Sequence, residues 1–149
     1  MEEKTTQRRG DAEAQRVNAV SGAVVDAAIE VHRTLGGPGL LESVYEEALA
    51  CELRRRGMAV DRQRGVPLMY KGMRLSTPLR LDMIVESQVI VECKATTSYL
   101  DVFDAQALTY LRLLDLRVAL VINFGARLVR DGIHRVVNDL GRERPWQAS

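Results

Sequence analysis

Residues 118–122 read Val-Ala-Leu-Val-Ile, a continuous apolar run of the kind expected for a strand buried on both faces. The rest of the chain has to supply its cover. From about Glu13 to Leu35 the residues Val17, Val20, Val24, Ala27, Ala28 and Val31 recur at helical spacing, until Leu35-Gly36-Gly37-Pro38-Gly39 breaks the pattern. A second helix is expected from about Leu40 to Arg56, with Leu41, Val44, Tyr45, Ala48, Leu49 and Leu53 buried and Gly57 as its stop. Beyond Gly57 the period shortens toward two. Val60 opens a strand, Val66–Tyr70 and Met73–Leu75 flank a Lys71-Gly72 turn, and Leu79–Val85 and Val89–Lys94 make two further strands. Asp101–Leu114 returns to helical spacing, and a last strand or hairpin is expected around Asp131-Gly132. This order (α-α-β-β-β-α-β in its core) predicts a two- or three-layer α/β sandwich around a mixed central sheet.

The 149 residues suit one domain, expected over residues 13–138 between a flexible tail at 1–12 and another at 139–149. An apolar share of 46% with 28% charged residues is the balance of a globular chain. No apolar run approaches the roughly 20 residues that cross a bilayer, and the N-terminus lacks the apolar core of a signal peptide. Membrane partners are therefore not expected, and a cytoplasmic location is. Cys51 and Cys93 lie far apart without CxxC spacing or a nearby His pair, which predicts reduced packing residues and no zinc. A formal net charge of +1 does not advertise a polyanion-binding protein, so any nucleic-acid contact has to rest on local charge. Arg54, Arg55 and Arg56, with Arg62 and Arg64 nearby, form the densest basic cluster, though such runs are usually only the solvated end of a helix.

Two strands carry the chemistry. Leu79, Leu81, Met83 and Val85 alternate with Arg80, Asp82 and Ile84, while Val89, Val91 and Cys93 alternate with Ile90, Glu92 and Lys94. If Glu86-Ser87-Gln88 closes a hairpin, matching the apolar faces pairs Val85 with Val89, Met83 with Val91 and Leu81 with Cys93. Asp82 then lies opposite Glu92. Like charges at that spacing repel unless something positive sits between them, and a divalent cation is the simplest candidate. Mg²⁺ takes hard oxygen ligands, often one or two carboxylates with waters and substrate phosphate. Lys94 projects from the same face as Glu92, where an ammonium can orient an attacking water or stabilise charge developing on phosphorus. These are the parts of a phosphodiester hydrolase. The plainer alternative is a solvated sheet face on which Asp82 and Glu92 pair with Arg80 and Lys94.

Asp82 and Glu92-Cys93-Lys94 across a hairpin, after a Glu-bearing helix and before another helix, resemble the motif order of the PD-(D/E)XK nuclease superfamily. Gln106-Ala-Leu-Thr-Tyr110 is similar to the QxxxY motif of its exonuclease branch, with both side chains on one helical face. Val31-His32-Arg-Thr-Leu35-Gly36 and Gly39-Leu-Leu-Glu42-Ser-Val-Tyr45-Glu46 resemble the signature of the bacterial GxxExxY proteins placed in that superfamily. The resemblance spans about residues 15 to 137; Leu81 replaces the proline of the superfamily's name, which supplies no metal ligand.

The resemblance implies a restriction-endonuclease-like α/β core and a nuclease dependent on Mg²⁺ or Mn²⁺, acting on nucleic acid, DNA first, in DNA processing or repair. Asp82, Glu92 and the backbone carbonyl of Cys93 would hold the metal, and Lys94 would assist the water. Glu46, or Glu42 one turn earlier, would reach the metal from the helix, with Glu46 the first choice. Gln106, Tyr110 and Arg80 would contact substrate, and Lys71, Arg54 and Arg55 would add grip. Tyr45 and His32 read as core residues with hydrogen-bonding tips, and His134, in an expected edge strand, carries no assigned role. An inactive nuclease-fold protein that binds nucleic acid or serves as an accessory is the alternative. A homodimer or a protein partner that completes a groove is a further expectation.

Overall fold

The computed structural model describes residues 2–138, without the side chains of residues 2–5. In chain order the elements are α1 (Glu2–Thr34), α2 (Glu42–Arg55), β1 (Val60–Val66), β2 (Met69–Tyr70), β3 (Met73–Arg74), β4 (Leu79–Val85), β5 (Val89–Lys94), α3 (Asp101–Leu114), β6 (Val118–Asn123), a 3₁₀ turn (Val129–Gly132) and β7 (Ile133–Val137). A five-stranded mixed sheet runs in the order β1-β4-β5-β6-β7, with β2 and β3 forming a separate two-stranded hairpin. Only β5 and β6 run parallel, joined by the crossover through α3; the other neighbours are antiparallel.

The sheet is covered on both sides. Val17, Val24, Ala27, Tyr45, Leu49 and Leu53 of α1 and α2 close one face over Met83, Val85, Val89, Val91 and Leu120. Phe103, Ala107 and Leu111 of α3 close the other over Ile84, Ile90, Ala119 and Val121. Every residue of β6 is buried, as its apolar run predicts. This is the three-layer form of the expected sandwich, and it corrects the expectation of a mixed outer face on β4 and β5, where Ile84 and Ile90 are core residues.

Three boundaries differ from the sequence expectation. The segment expected as a tail at 1–12 belongs to α1, which starts at Glu2. Its Glu, Gln, Arg and Ala residues favour a helix by propensity, and among the described residues full burial begins at Val17. The expected tail at 139–149 lies outside the described residues. In α2 the buried stripe is Tyr45, Glu46, Leu49, Ala50 and Leu53, whereas Leu41 is the N-cap with 72% of its surface exposed and Val44 also faces out. Asp131 and Gly132 close the 3₁₀ turn, and the final strand starts one residue later. Gly132 is needed there, because a Cβ would stand 2.4 Å from the carbonyl oxygen of Asn123. Among the described residues no helix is long and apolar enough to cross a membrane.

The segment from Gly37 to Tyr45 has a physical role. Tyr45 is fully buried and stacks on Phe124 with ring centroids 4.8 Å apart. Its hydroxyl donates to the Gly37 carbonyl (2.7 Å) and accepts from the Leu40 amide (3.2 Å), pinning the glycine loop between α1 and α2. His32, buried beside both rings, places Nε2 3.1 Å from the Phe124 carbonyl oxygen. Both residues are structural, as expected.

Candidate active site

The β4–β5 hairpin turns through Glu86 and Ser87, both with left-handed φ, and pairs Val85 with Val89, Ile84 with Ile90 and Met83 with Val91. This is the expected register. The ladder ends at Met83–Val91, however, and the expected Leu81–Cys93 pair does not form. Leu81 instead packs in the α3-side core while Met83 packs in the other, so side-chain alternation breaks at Asp82. On the opposite flank β1 pairs Arg62 with Met83 and Arg64 with Leu81 but skips Gln63, which has φ 53°. A skipped, left-handed residue in a strand marks a local irregularity of the kind that re-aims side chains. Asp82 therefore sits where the backbone ladder is interrupted on both sides.

Carboxylates fill one gap. The Asp82 amide donates to Glu92 Oε1 (3.0 Å), and the Cys93 amide donates to Asp82 Oδ2 (2.7 Å). Asp82 and Glu92 thus bridge the splayed strands by reciprocal backbone contacts. Because the N–H and C=O of one strand residue point to the same side, the Cys93 carbonyl faces the same gap.

Burial dominates the electrostatics of the pair. Desolvation raises Glu92 from 4.5 to about 8, assisted by the negative charge of Asp82, while the Asp82 amide and Lys94 oppose the rise. Desolvation likewise raises Asp82 from 3.8 to about 6, against the Cys93 amide, with Glu46 and Glu42 adding to the rise and Lys94 opposing it. Burial pushes the Cys93 thiol well up, so it stays neutral, consistent with a packing role. Cys51, expected to pack as well, is exposed.

Glu46 occupies a slot in the buried stripe of α2, with only 7% of its surface exposed. Its Oε1 accepts from Gln63 Nε2 at 2.6 Å and lies 3.8 Å from Arg62 Nε. It is within electrostatic reach of both Asp82 and Glu92, whereas Glu42 is exposed and ranks behind it in raising Asp82. Lys94 is half-buried, its Nζ 4.7 Å from the centroid of the Phe103 ring. Its charge favours ionisation of both acids from there. The Tyr110 hydroxyl donates to the Arg80 carbonyl (3.4 Å), and burial, with the charges of Glu92 and Asp82, raises its pKa. Gln106, one turn earlier on α3, is exposed, as is the Arg80 side chain. The structure therefore gathers Asp82, Glu92, Glu46, Lys94 and Tyr110, and leaves Glu42, Gln106 and Arg80 at the surface around them.

Among the described residues, no group of three or more His, Cys, Asp and Glu side chains is gathered as a metal cage. The donor chemistry is that of a carboxylate pair plus a carbonyl: hard oxygen atoms whose mutual repulsion a divalent cation would relieve, with water or phosphate as further ligands. In kind, these donors fit Mg²⁺ or Mn²⁺.

Sequence reasoning missed two residues. Gln63 fixes the Glu46 carboxylate, and nothing in its polar neighbourhood separates it from a solvent-facing strand residue. Asn123, buried at the end of β6, accepts from the Thr96 and Gly125 amides (both 3.0 Å) and donates to the Thr96 carbonyl (3.1 Å). It clamps the loop that leaves Lys94. Gly125 completes that clamp, since a Cβ there would stand 2.2 Å from the Thr96 carbonyl oxygen. An asparagine after an apolar strand is the only sequence signal for it.

Comparison with protein families matches residues 18–136 to a family described as the PD-(D/E)XK nuclease superfamily. Neither the curated proteins nor the solved structures yield a match.

Proposed function

The chain belongs to the PD-(D/E)XK nuclease superfamily, and from that premise we propose that it is an Mg²⁺- or Mn²⁺-dependent hydrolase of nucleic-acid phosphodiester bonds, acting on DNA in processing or repair. The observation that carries the reading is the interrupted ladder at Asp82, where a half-buried and a buried carboxylate replace backbone acceptors and lie close enough for the charge of Asp82 to raise the pKa of Glu92. Bridging the strands does not require two acids, and a pair in which burial and a neighbouring carboxylate hold one member protonated is the kind of perturbed site that supports a chemical role. The bound cation would supply Lewis acidity and charge neutralisation at phosphorus. Asp82, Glu92 and the Cys93 carbonyl would hold it. Glu46, fixed by Gln63, would bind its outer water shell.

Lys94 supplies the positive charge. Swinging from the Phe103 ring toward the acids, its ammonium orients the attacking water and stabilises the charge that builds on the phosphoryl oxygens. The Tyr110 hydroxyl, which donates to the Arg80 carbonyl near the acids, would turn its proton to a phosphate oxygen, with Gln106 and Arg80 at the rim. The GxxExxY resemblance supports assigning the chain to that branch, its signature tyrosine serving the fold and its glutamates the site.

The test is cleavage of single-stranded, double-stranded and branched DNA and of RNA with Mg²⁺ or Mn²⁺. Wild type is expected to cut at least one substrate, and Asp82→Ala none. Equal inertness of both proteins on every substrate, with no metal binding by either, overturns the enzyme reading. Nucleic-acid binding that survives chelation and both Asp82→Ala and Glu92→Ala would assign the chain to a binding or accessory role instead.

A further inference from the structure

The β2–β3 hairpin plays no part in the core. It forms its own two-stranded sheet, Met69 opposite Arg74 and Tyr70 opposite Met73, and turns tightly through Lys71 and Gly72, both left-handed. Its apolar side chains face water: Tyr70 is 60% exposed and Met73 67%, with Met69 and Leu75 exposed beside them. An isolated two-stranded hairpin is marginal in water, and four exposed apolar side chains clustered on one form a surface suited to a partner.

Charge identifies the partner. Residues 62–81 carry five basic side chains and no acidic one, in a protein whose net charge is only +1. Arg62 and Arg64 are engaged by Glu46 and Asp61. Lys71, Arg74 and Arg80 make no ion pair within 4 Å among the described residues, and Lys71 Nζ lies 5.6 Å from the centroid of the Tyr70 ring. A two-fold dimer through this surface would set the positive hairpin against its own kind, which disfavours that pairing. A groove of about 450 Å³ at the hairpin's foot, bounded by Gly65, Arg74, Thr77, Pro78 and Arg80, continues the basic surface. The hairpin also springs directly from the site: β1 enters it just after Gln63, and β4 leaves it three residues before Asp82.

We propose that this hairpin binds an unpaired nucleic-acid strand, stacking a base on Tyr70 beside the thioether of its cross-strand partner Met73, while Lys71, Arg74 and Arg80 follow the phosphates toward Asp82. The proposal rests on the nuclease reading and adds to it the class of substrate. A flat aromatic with a thioether beside it serves exposed base faces, which a duplex hides; basic residues alone would suffice for a duplex backbone.

The experiment is fluorescence anisotropy in EDTA with labelled 20-nucleotide single-stranded DNA, single-stranded RNA and blunt duplex DNA. Wild type is expected to bind one or both single strands at least ~10-fold more tightly than duplex, the two single-stranded arms showing which sugar it prefers. Tyr70→Ala should weaken single-strand binding about 10-fold without changing the circular dichroism spectrum or Tm, and Tyr70→Trp should restore it. Charge reversal, Lys71→Glu with Arg74→Glu, should weaken binding to all three probes and flatten the salt dependence. Unchanged single-strand affinity in Tyr70→Ala overturns the proposal, as does tighter duplex binding by wild type. A wild-type dimer that Tyr70→Ala dissociates in sedimentation also overturns it and gives the surface to a second copy. If wild type cleaves with Mg²⁺ while the hairpin variants bind normally, only the hairpin proposal falls. Tyr70-dependent binding without cleavage of any substrate sinks the nuclease reading and leaves the hairpin.

Discussion

Replacing Glu92 by glutamine should make this protein more stable, and only at neutral to alkaline pH. The carbonyl oxygen of the introduced glutamine can still accept the Asp82 amide, so the bridge across the splayed strands survives while the buried charge is removed. Glu92 is raised from 4.5 to about 8, first by burial and then by Asp82. The folded state therefore holds a proton that the unfolded chain releases above about 4.5. Stability from this group is fully present below that pH and is lost as the pH rises through about 8. Fully expressed, such a rise corresponds to about 5 kcal/mol. The ionised pair can draw Lys94 off Phe103 and relax, so about half, roughly 2–3 kcal/mol, is expected at about pH 9, or about 5–10 °C in Tm. Urea unfolding followed by circular dichroism, in EDTA from about pH 4.5 to 9, measures it. The two proteins should agree within about 1 kcal/mol at the acid end, with the glutamine variant ahead at the alkaline end. A gap that is absent in alkali, reversed, or the same at both ends would refute the account of Glu92 as a buried acid that must be forced to ionise.

Other substitutions probe other links. Millimolar Mg²⁺ should raise the Tm of wild type at about pH 8 by a few degrees and leave Glu92→Gln unmoved, which differential scanning fluorimetry would read directly. Lys94→Met should lower turnover by about 10²–10⁴-fold with little change in substrate affinity, as single-turnover and binding assays would show; an equal loss of affinity would make it a gripping residue. Tyr45→Phe removes two hydrogen bonds to the glycine loop and should cost about 1–3 kcal/mol by urea denaturation, with stacking on Phe124 retained. Gly125→Ala forces a Cβ into the Thr96 backbone and should destabilise the loop after Lys94, detected as faster proteolysis or a Tm several degrees lower.

The parts of this fold that were legible are those where one physical signal acts alone. The run Val118–Ile122 is apolar at every position because both faces of β6 are covered, and no other element imitates it. The register Met83–Val91 follows from a short hairpin whose apolar sets match. The acids were found because Asp82 and Glu92 flank that hairpin at equal distances. Periodicity failed one residue further on: Leu81 turns to the opposite core from Met83, since the backbone is interrupted between them and an alternating pattern carries no mark of an irregularity. Leu41 and Val44 continue the helical spacing of α2, but no neighbour buries them. Gln63 and Asn123 are polar residues whose partners lie 17 and 27 positions away, and a single chain's pattern does not encode such pairs. The N-terminal extent of α1 depends on intrinsic helix propensity rather than on a buried stripe, and the stripe is what was read.

The interrupted ladder also makes two backbone amides into reporters. Elsewhere in the sheet an amide proton is guarded by a carbonyl whose basicity does not vary with pH; those of Asp82 and Cys93 are guarded by carboxylates that titrate and would turn toward a cation. Their hydrogen-exchange rates, followed against pH and added Mg²⁺, would separate events at the acid pair from global unfolding, because the neighbouring amides of Ile84 and Ile90 stay locked in the ladder. The chemistry of this centre is thus readable from the main chain, without a substrate and without a mutation.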